Sequence, residues 1–195
     1  MTMKKGADWG ERVARPAGLV VARSDAELAA LVAGGSPAPL TVASGDLRRT
    51  LGCGPDGPAM QLVPLDALRI VADGVEMCAV AHVVARRSWW RGRIVGVFNC
   101  EHLGRWDVAP RGHPNDGRAE VIEVDATMPV RARVQAWRRL PSGTHVPHPA
   151  IRVSQCTTAS WEFAPPLTLY ADGRRRGTVR RLTVMVEADA LHLHI

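Results

Sequence analysis

Three loops hold the residue types from which a metal-binding or reactive site could be built. The segment 106–118, Trp-Asp-Val-Ala-Pro-Arg-Gly-His-Pro-Asn-Asp-Gly-Arg, packs two prolines, two glycines, two acids and an Asn-Asp-Gly tripeptide into one short span. Proline fixes φ and glycine permits positive φ, so this must be an ordered loop rather than a helix or strand. Asp116, surrounded by backbone carbonyls in that stiffened loop, could hold a divalent ion, because hard cations prefer oxygen ligands. A long turn between two strands explains the same composition. The second loop is Tyr170-Ala171-Asp172-Gly173-Arg174, which ends an apolar run and leads into three arginines. A carboxylate beside fixed cations is held ionised, and Asp172 could orient a hydroxyl nucleophile or a hydrated Mg²⁺. Its Asp-Gly pair, like Asp73-Gly74, also has the sequence of a tight turn between strands. In the third loop, 143–149, His145 and His148 stand three apart between prolines. That spacing is extended rather than helical, and local hydrogen bonding explains it better than an incomplete metal pair.

The elements that must position these loops follow from composition and pattern. At 195 residues with 46% hydrophobic content, the chain can bury an ordinary core. No apolar run approaches membrane-spanning length, and the basic start lacks an apolar stretch behind it, so a cytoplasmic protein is expected, with a peripheral place at a membrane open to it. The four cysteines, Cys53, Cys78, Cys100 and Cys156, are scattered without Cys-x-x-Cys spacing, which argues against zinc and for small buried hydrophobes at Cys78 and Cys100. The net charge of +6 is mostly arginine, in clusters at 48–49, 86–93, 138–139, 174–176 and 180–181. Such a balance suits nucleic acid, an anionic membrane surface or a phosphorylated ligand. With 5% aromatic residues and no base-stacking pattern, nucleic acid is the weakest of the three.

Residues 1–16 show no periodicity and read as a flexible arm. Between 17 and 52 the pattern is strand, helix, strand, helix. Ser24 and Glu27 have capping-box spacing before a helix with Leu28, Leu31 and Val32 on one face, and Gly45 to Gly52 forms a second short helix. This βαβ piece is too small to stand alone. After a Gly/Pro loop at 53–58, residues 53–195 are mostly strand-like, with candidate strands at 61–63, 68–72, 75–84, 93–99, 119–124, 151–157, 160–163, 167–171, 178–186 and 191–194. Short strands with Gly/Pro/Asp turns predict an antiparallel sandwich or barrel-like body. One amphipathic helix interrupts it over 129–140, with Val130, Val134 and Trp137 on its apolar stripe.

Taken in order, these pieces resemble the bacterial diacylglycerol kinases and related lipid kinases, a group allied to sphingosine kinases and NAD kinases. The resemblance rests on Asp107 to Arg118, similar to that family's Ala-Pro and Asp-Asp-Gly segment. It rests also on Leu140-Pro-Ser-Gly-Thr-His-Val-Pro-His-Pro149, on Asp172-Gly173, and on Gly45-Asp-Leu-Arg-Arg-Thr-Leu-Gly52. It implies a mainly β fold with some α, an antiparallel β-sandwich of the lipid-kinase C-terminal type preceded by a short βαβ remnant of a nucleotide-binding domain. It further implies ATP-dependent phosphorylation of a lipid hydroxyl, with Asp172 as the first catalytic acid, Asp46 and Arg48 on the cofactor side, and Asp116 at a structural Mg²⁺. Two departures weaken the kinase expectation. Arg174 stands where the family has a second acid, and a guanidinium cannot accept a proton. Ala22 to Leu28 stands where the family has its glycine-rich nucleotide loop, and phosphoryl transfer depends on cradling the phosphates. The expectation is therefore a lipid-kinase-like protein inactive by itself or dependent on a partner, which could be a nucleotide-domain chain that brings ATP or a second copy. The alternative is a non-catalytic module binding an anionic lipid or phosphorylated ligand.

Overall fold

In the computed structural model, residues 9–52 and 58–195 are described. The helix α1 (Asp25–Ala33) starts where the sequence caps it: the Ser24 side chain accepts the Glu27 amide at 3.3 Å. The Glu27 carboxylate reaches one residue further back than a capping box requires, taking the Arg23 amide at 3.0 Å. Gly34 ends the helix, and α1 connects two short parallel strands, β2 (Val20–Ala22) and β3 (Leu40–Val42). A second helix, α2 (Asp46–Leu51), follows. The expected βαβ piece is therefore present, and β3 runs parallel to the C-terminal strand at Leu193↔Leu40. Its apolar residues Ala22, Leu28, Val42 and Leu47 share one core with Val63, Leu65, Val80 and Leu193, so the piece is built onto the sheet. Three residues per strand could not bury enough surface alone.

The remaining strands form one branched, mainly antiparallel sheet, in the order β1-β4-β13-β12-β6-β7-β10-β11. Its members are β1 (Glu11–Ala14), β4 (Ala59–Ala72), β6 (His82–Arg86), β7 (Ile94–Phe98), β10 (Ala119–Val124), β11 (Ile151–Cys156), β12 (Thr158–Ala171) and β13 (Arg174–His194). A further strand, β5 (Val75–Ala79), pairs with β4, and β8 (His102–Leu103) and β9 (Trp106–Asp107) make a small hairpin. Leu68, Ile70 and Val184 meet Val95, Val97 and Val121 in one core, so the sheet folds over itself as the expected sandwich.

Several boundaries differ from the sequence reading. The arm expected over 1–16 contains, in its described part, the strand β1 paired with β4. The loop expected at 53–58, Cys53 with it, lies almost wholly outside the described residues. Segments 61–63 and 68–72 are one strand, because Pro64 falls between the pairings of β4 with β1 and with β5, where that side of the ladder needs no donor. Segments 160–163 and 167–171 are also one strand, with a register shift at the prolines. So are 178–186 and 191–194, with an irregularity around Asp189, whose φ is 53°. Conversely, 75–84 is broken at Val80-Ala81, whose amides turn to Asp172.

The helix α3 (Val130–Arg139) forms as expected but is rotated from the expected stripe. Val130 is 44% exposed, while Arg133, Ala136 and Trp137 face inward. The buried Arg133 guanidinium explains this: it donates to the carbonyls of Met128 (3.1 Å), Gly92 (2.6 Å) and Asp125 (2.7 Å), and at 3.4 Å to Trp89. Arg133→Met should lower the unfolding free energy by about 3 kcal/mol, because it leaves buried carbonyls without donors. Urea denaturation checks this, and a loss below about 1 kcal/mol would show that the guanidinium does not hold these loops.

Candidate functional site

The hairpin between β12 and β13 turns through Asp172 (φ 48°) and Gly173 (φ 74°), a two-residue turn of the mirror-image type that suits strand twist. The turn places the Asp172 side chain against the break between β5 and β6. Its Oδ1 accepts the amides of Ala81 (2.9 Å) and His82 (3.0 Å), and its Oδ2 that of Val80 (2.9 Å). In return the Asp172 amide donates to the His82 carbonyl at 2.9 Å. Both carboxylate oxygens are thus engaged by backbone, and Asp172 is 9% exposed.

This cap sets the start of β6 and with it the buried ring of His82. His82 Nε2 lies 2.9 Å from Asp46 Oδ2, and Asp46 Oδ1 accepts the Gly104 amide at 2.6 Å. Asp46 opens α2, and its own amide donates at 2.6 Å to Oδ2 of Asp25 on α1. Asp25 thus caps a helix twenty-one residues away. Gly45 between them has φ 132°, and a Cβ there would overlap the Asp25 carboxylate. The structure therefore brings Asp46 and Asp172 together, with Asp25 and His82 completing the group. Sequence reasoning missed the latter two; an acid directly after a helix cap and a histidine in an apolar run were the signals.

Burial is the largest influence on Asp25 and raises its carboxyl to about 6; the Asp46 amide opposes it, and the charges of Asp172 and Asp46 add to it. For His82, burial alone lowers the pKa, but the hydrogen bond that its Nε2 donates to Asp46 and the charges of Asp172, Asp46 and Asp25 together raise it. Both shifts stabilise the protonated forms, so they favour the fold at low pH. The Asp25 contribution is full below its ordinary value of 3.8 and lost as pH rises through about 6. The His82 contribution is full below 6.5 and lost as pH rises through its higher folded value.

Asp116 lies in a different group. Its Oδ1 accepts the Arg118 amide at 2.9 Å, and its charge acts on Asp66, a residue the sequence reading passed over. Asp66 is 1% exposed and anchors the 106–118 loop. Its Oδ2 takes the Gly117 amide (2.8 Å), its Oδ1 takes the Asp189 amide (3.0 Å), and its own amide donates to the Pro114 carbonyl (2.8 Å). Among the described residues no group of three or more His, Cys, Asp or Glu side chains is placed to hold a metal ion. Backbone amides share the carboxylate oxygens of Asp66 and Asp116 Oδ1, so a structural Mg²⁺ at Asp116 would have to complete its shell with loop carbonyls.

A nucleotide fares no better at the other group. Phosphates need amides or cations, yet three carboxylates converge there and Asp25 already takes the first amides of α2. Arg48 does not reach into the group; its guanidinium caps the Val42 carbonyl at 3.2 Å. Arg174 is exposed, and it helps, after hydrogen bonds from Arg23, to hold the Glu27 carboxyl below its ordinary range. His148 pins its own loop as expected, accepting the Ala150 amide at 3.1 Å. His145 is buried apart from it, and burial pushes its pKa down. Burial also raises the thiols of Cys78, to about 11, and of Cys100 and Cys156, which opposes any role as nucleophiles.

Beside His82 the face of β6, β7, β10 and β11 carries a cavity of about 100 Å³. Val84, Phe98, Ile122, Leu140 and Ile151 line it, with Trp89, Trp90, Trp106 and Trp137 around them. The indoles meet edge to face, at 5.9 Å for Trp89–Trp106, 6.0 Å for Trp90–Trp137 and 6.4 Å for Trp106–Trp137. The cavity approaches the acid group through Phe98, whose ring is 6.0 Å from that of His82. Composition hid this site, because nine aromatic residues in the chain look sparse until four of six tryptophans converge.

Asp25→Asn should match the parent in stability near pH 3, below the ordinary value of 3.8, and exceed it near pH 8 by at most roughly 3 kcal/mol for a shift of this size. Thermal unfolding of both proteins across this pH range checks it; a difference that does not vary with pH would contradict the buried ionisation.

Comparison with known proteins agrees with this fold. The family model described as the YegS C-terminal NAD kinase beta sandwich-like domain matches residues 60–195. No curated protein matches the chain. Among solved structures, a diacylglycerol kinase from Bacillus anthracis str. Sterne superposes with a TM-score of 0.63 at 13% identity, covering 90% of this chain and 75% of that one. A putative diacylglycerol kinase from the same organism gives 0.66 at 12% identity, with 90% and 77% covered. At such identities these likenesses show the fold, the lipid-kinase-type sandwich that the sequence motifs imply. With some two thirds of its length matched by that model, the chain belongs to the family of the YegS C-terminal NAD kinase beta sandwich-like domain.

Proposed function

We propose that this protein is a lipid-kinase-like protein that binds a lipid and does not transfer phosphate by itself. The observation that carries the reading is the tryptophan-walled cavity reaching the Asp46–His82 pair through Phe98. Its walls are apolar, so a hydrocarbon chain entering it leaves water without stripping a polar group, at about 25 cal/mol per Å² buried. A lipid hydroxyl at the Phe98 end would sit beside the carboxylates, the arrangement a lipid kinase needs for its acceptor. The support for inactivity lies in the acid that the family resemblance would make the base for that hydroxyl. Asp172 spends both oxygens on amides, and Arg174 follows it in place of a second acid. The support for inactivity is this engagement, together with the absence of a phosphate cradle among the described residues.

A partner could supply the missing parts. The strand β2 pairs only with β3 among the described residues, and Val21 on it is 48% exposed, so its outer edge offers a place for a parallel strand from another chain. Activity appearing only on addition of a second protein would support that dependence.

The cavity mouth also suits a bilayer surface. Trp90 lines the cavity and is itself 40% exposed, and Arg105 stacks 5.8 Å from the Trp137 ring. Aromatic and basic side chains together favour an anionic membrane interface, which is the peripheral location this reading proposes. No helix among the described residues is long and apolar enough to cross a membrane.

Incubation with ATP, Mg²⁺ and diacylglycerol should give no phosphatidic acid above a protein-free control, whereas radiolabelled diacylglycerol should be retained by the protein. Ala136→Phe, which fills the cavity from α3, should weaken that retention at least tenfold. Robust turnover would overturn the inactivity, and undiminished retention in the variant would overturn the cavity as the lipid site.

A further inference from the structure

A second hollow adjoins the tryptophan cavity on the same sheet face. It is a groove of about 610 Å³, walled by Pro110, Pro147, Pro149 and Val153, and it shares Val108 and Ile151 with the cavity. Its polar lining is Glu120 on β10 with Arg111 and His148. Glu120 is 4% exposed, yet it lines the groove. Its one hydrogen bond among the described residues is from the Arg111 amide at a long 3.3 Å, and no Lys or Arg side chain pairs with it there. An unpaired carboxylate so deeply placed is costly, and a bound cation would offset that cost. The nearby charges sharpen the preference. Asp116 and Asp107 add negative potential at Glu120, and Arg111, which also lines the groove, opposes them. At Glu120 the three carboxylates outnumber the Arg111 guanidinium, so an anionic headgroup there would meet net repulsion, whereas an ammonium would find a carboxylate and apolar walls for its first methylenes.

We infer that the groove is a headgroup site for a cationic amphiphile: an alkyl amine whose ammonium group sits on Glu120 and whose chain passes Val108 and Ile151 into the tryptophan cavity. This rests on the reading that the cavity takes hydrocarbon. It goes beyond that reading in naming the headgroup class, and it opposes the anionic ligand expected from the overall arginine excess. The arginines cluster elsewhere on the chain, so the whole-chain charge of +6 is a poor guide to the local field here.

The test uses three probes with the same chain and different heads: octylamine, 1-octanol and octyl sulfate, titrated calorimetrically at pH 7.5. The parent protein should bind octylamine at least tenfold more tightly than octanol, and octyl sulfate more weakly than either. Glu120→Gln should keep octanol affinity within twofold and erase the amine preference. The head-group order in the parent protein is decisive even if that variant folds poorly. Equal affinities for amine and alcohol, a preference for the sulfate, or an amine preference that survives in Glu120→Gln would each overturn the headgroup site while leaving the hydrocarbon reading intact. Failure of all three probes to bind would overturn both.

Discussion

The arrangement depends most on one carboxylate grasping three consecutive amides. Asp172 closes the β12–β13 hairpin and holds Val80, Ala81 and His82 at the point where β5 gives way to β6. Hydrogen bonds to a charged acceptor contribute about 1.5–3 kcal/mol each, and the three share one buried group that could not be left unpaired. The geometry has a directional consequence. By ending one strand and starting the next, the cap turns His82 toward α2, where Asp46 meets it. Asp46 in turn depends on Asp25 from α1, and Gly45 is the residue that lets the two acids approach. A sandwich hairpin, a strand break and two helices of the βαβ piece are thus joined through a single chain of carboxylates and one imidazole.

That joint gives these acids a structural role within a lipid-kinase-like scaffold. The acid at the β12–β13 turn has structural work of its own, so it remains useful whether or not a phosphate donor is present. The same acids exclude an unescorted phosphate, because they crowd negative charge where the amides are already taken. The apolar side of the molecule carries the opposite character. Arg133 anchors α3 by its guanidinium, and the helix then presents Ala136 and Trp137 to the space over β7, β10 and β11. The proposed binding surfaces lie there, in tryptophan walls and one buried glutamate.

Much of the fold was legible in the sequence because its signals are local. The Asp-Gly turns at 73–74 and 172–173 have the positive φ values their composition demands, and Ser24, Gly34 and Gly52 bound their helices. The sandwich and the parallel β2–β3 unit followed from alternation and spacing. Strand boundaries were less legible, because Pro64 and Asp189 look like breaks while the sheet accommodates them. The candidate site was the least legible. Asp46 and Asp172 stood out by motif, Asp25 and His82 offered only a cap-adjacent acid and a histidine in an apolar run, and for Asp66 and Glu120 nothing local distinguishes a buried polar side chain from a solvated one. The rotation of α3 was hidden for a related reason. Its pattern favours Val130 and Val134, and the carbonyls that turn Arg133 inward, of Met128 and Asp125 in the preceding loop and of Trp89 and Gly92 far along the chain, leave no trace in that pattern.

The central claim is that the tryptophan-walled cavity holds hydrocarbon. Titration with 8-bromo-1-octanol, followed by tryptophan fluorescence, tests it directly, since bromine quenches an indole only at close contact. Saturable quenching, competed by unbrominated octanol, is the result expected from four indoles around the bound chain. Emission that stays unchanged, or that falls linearly without saturation as in collisional encounter, would contradict it.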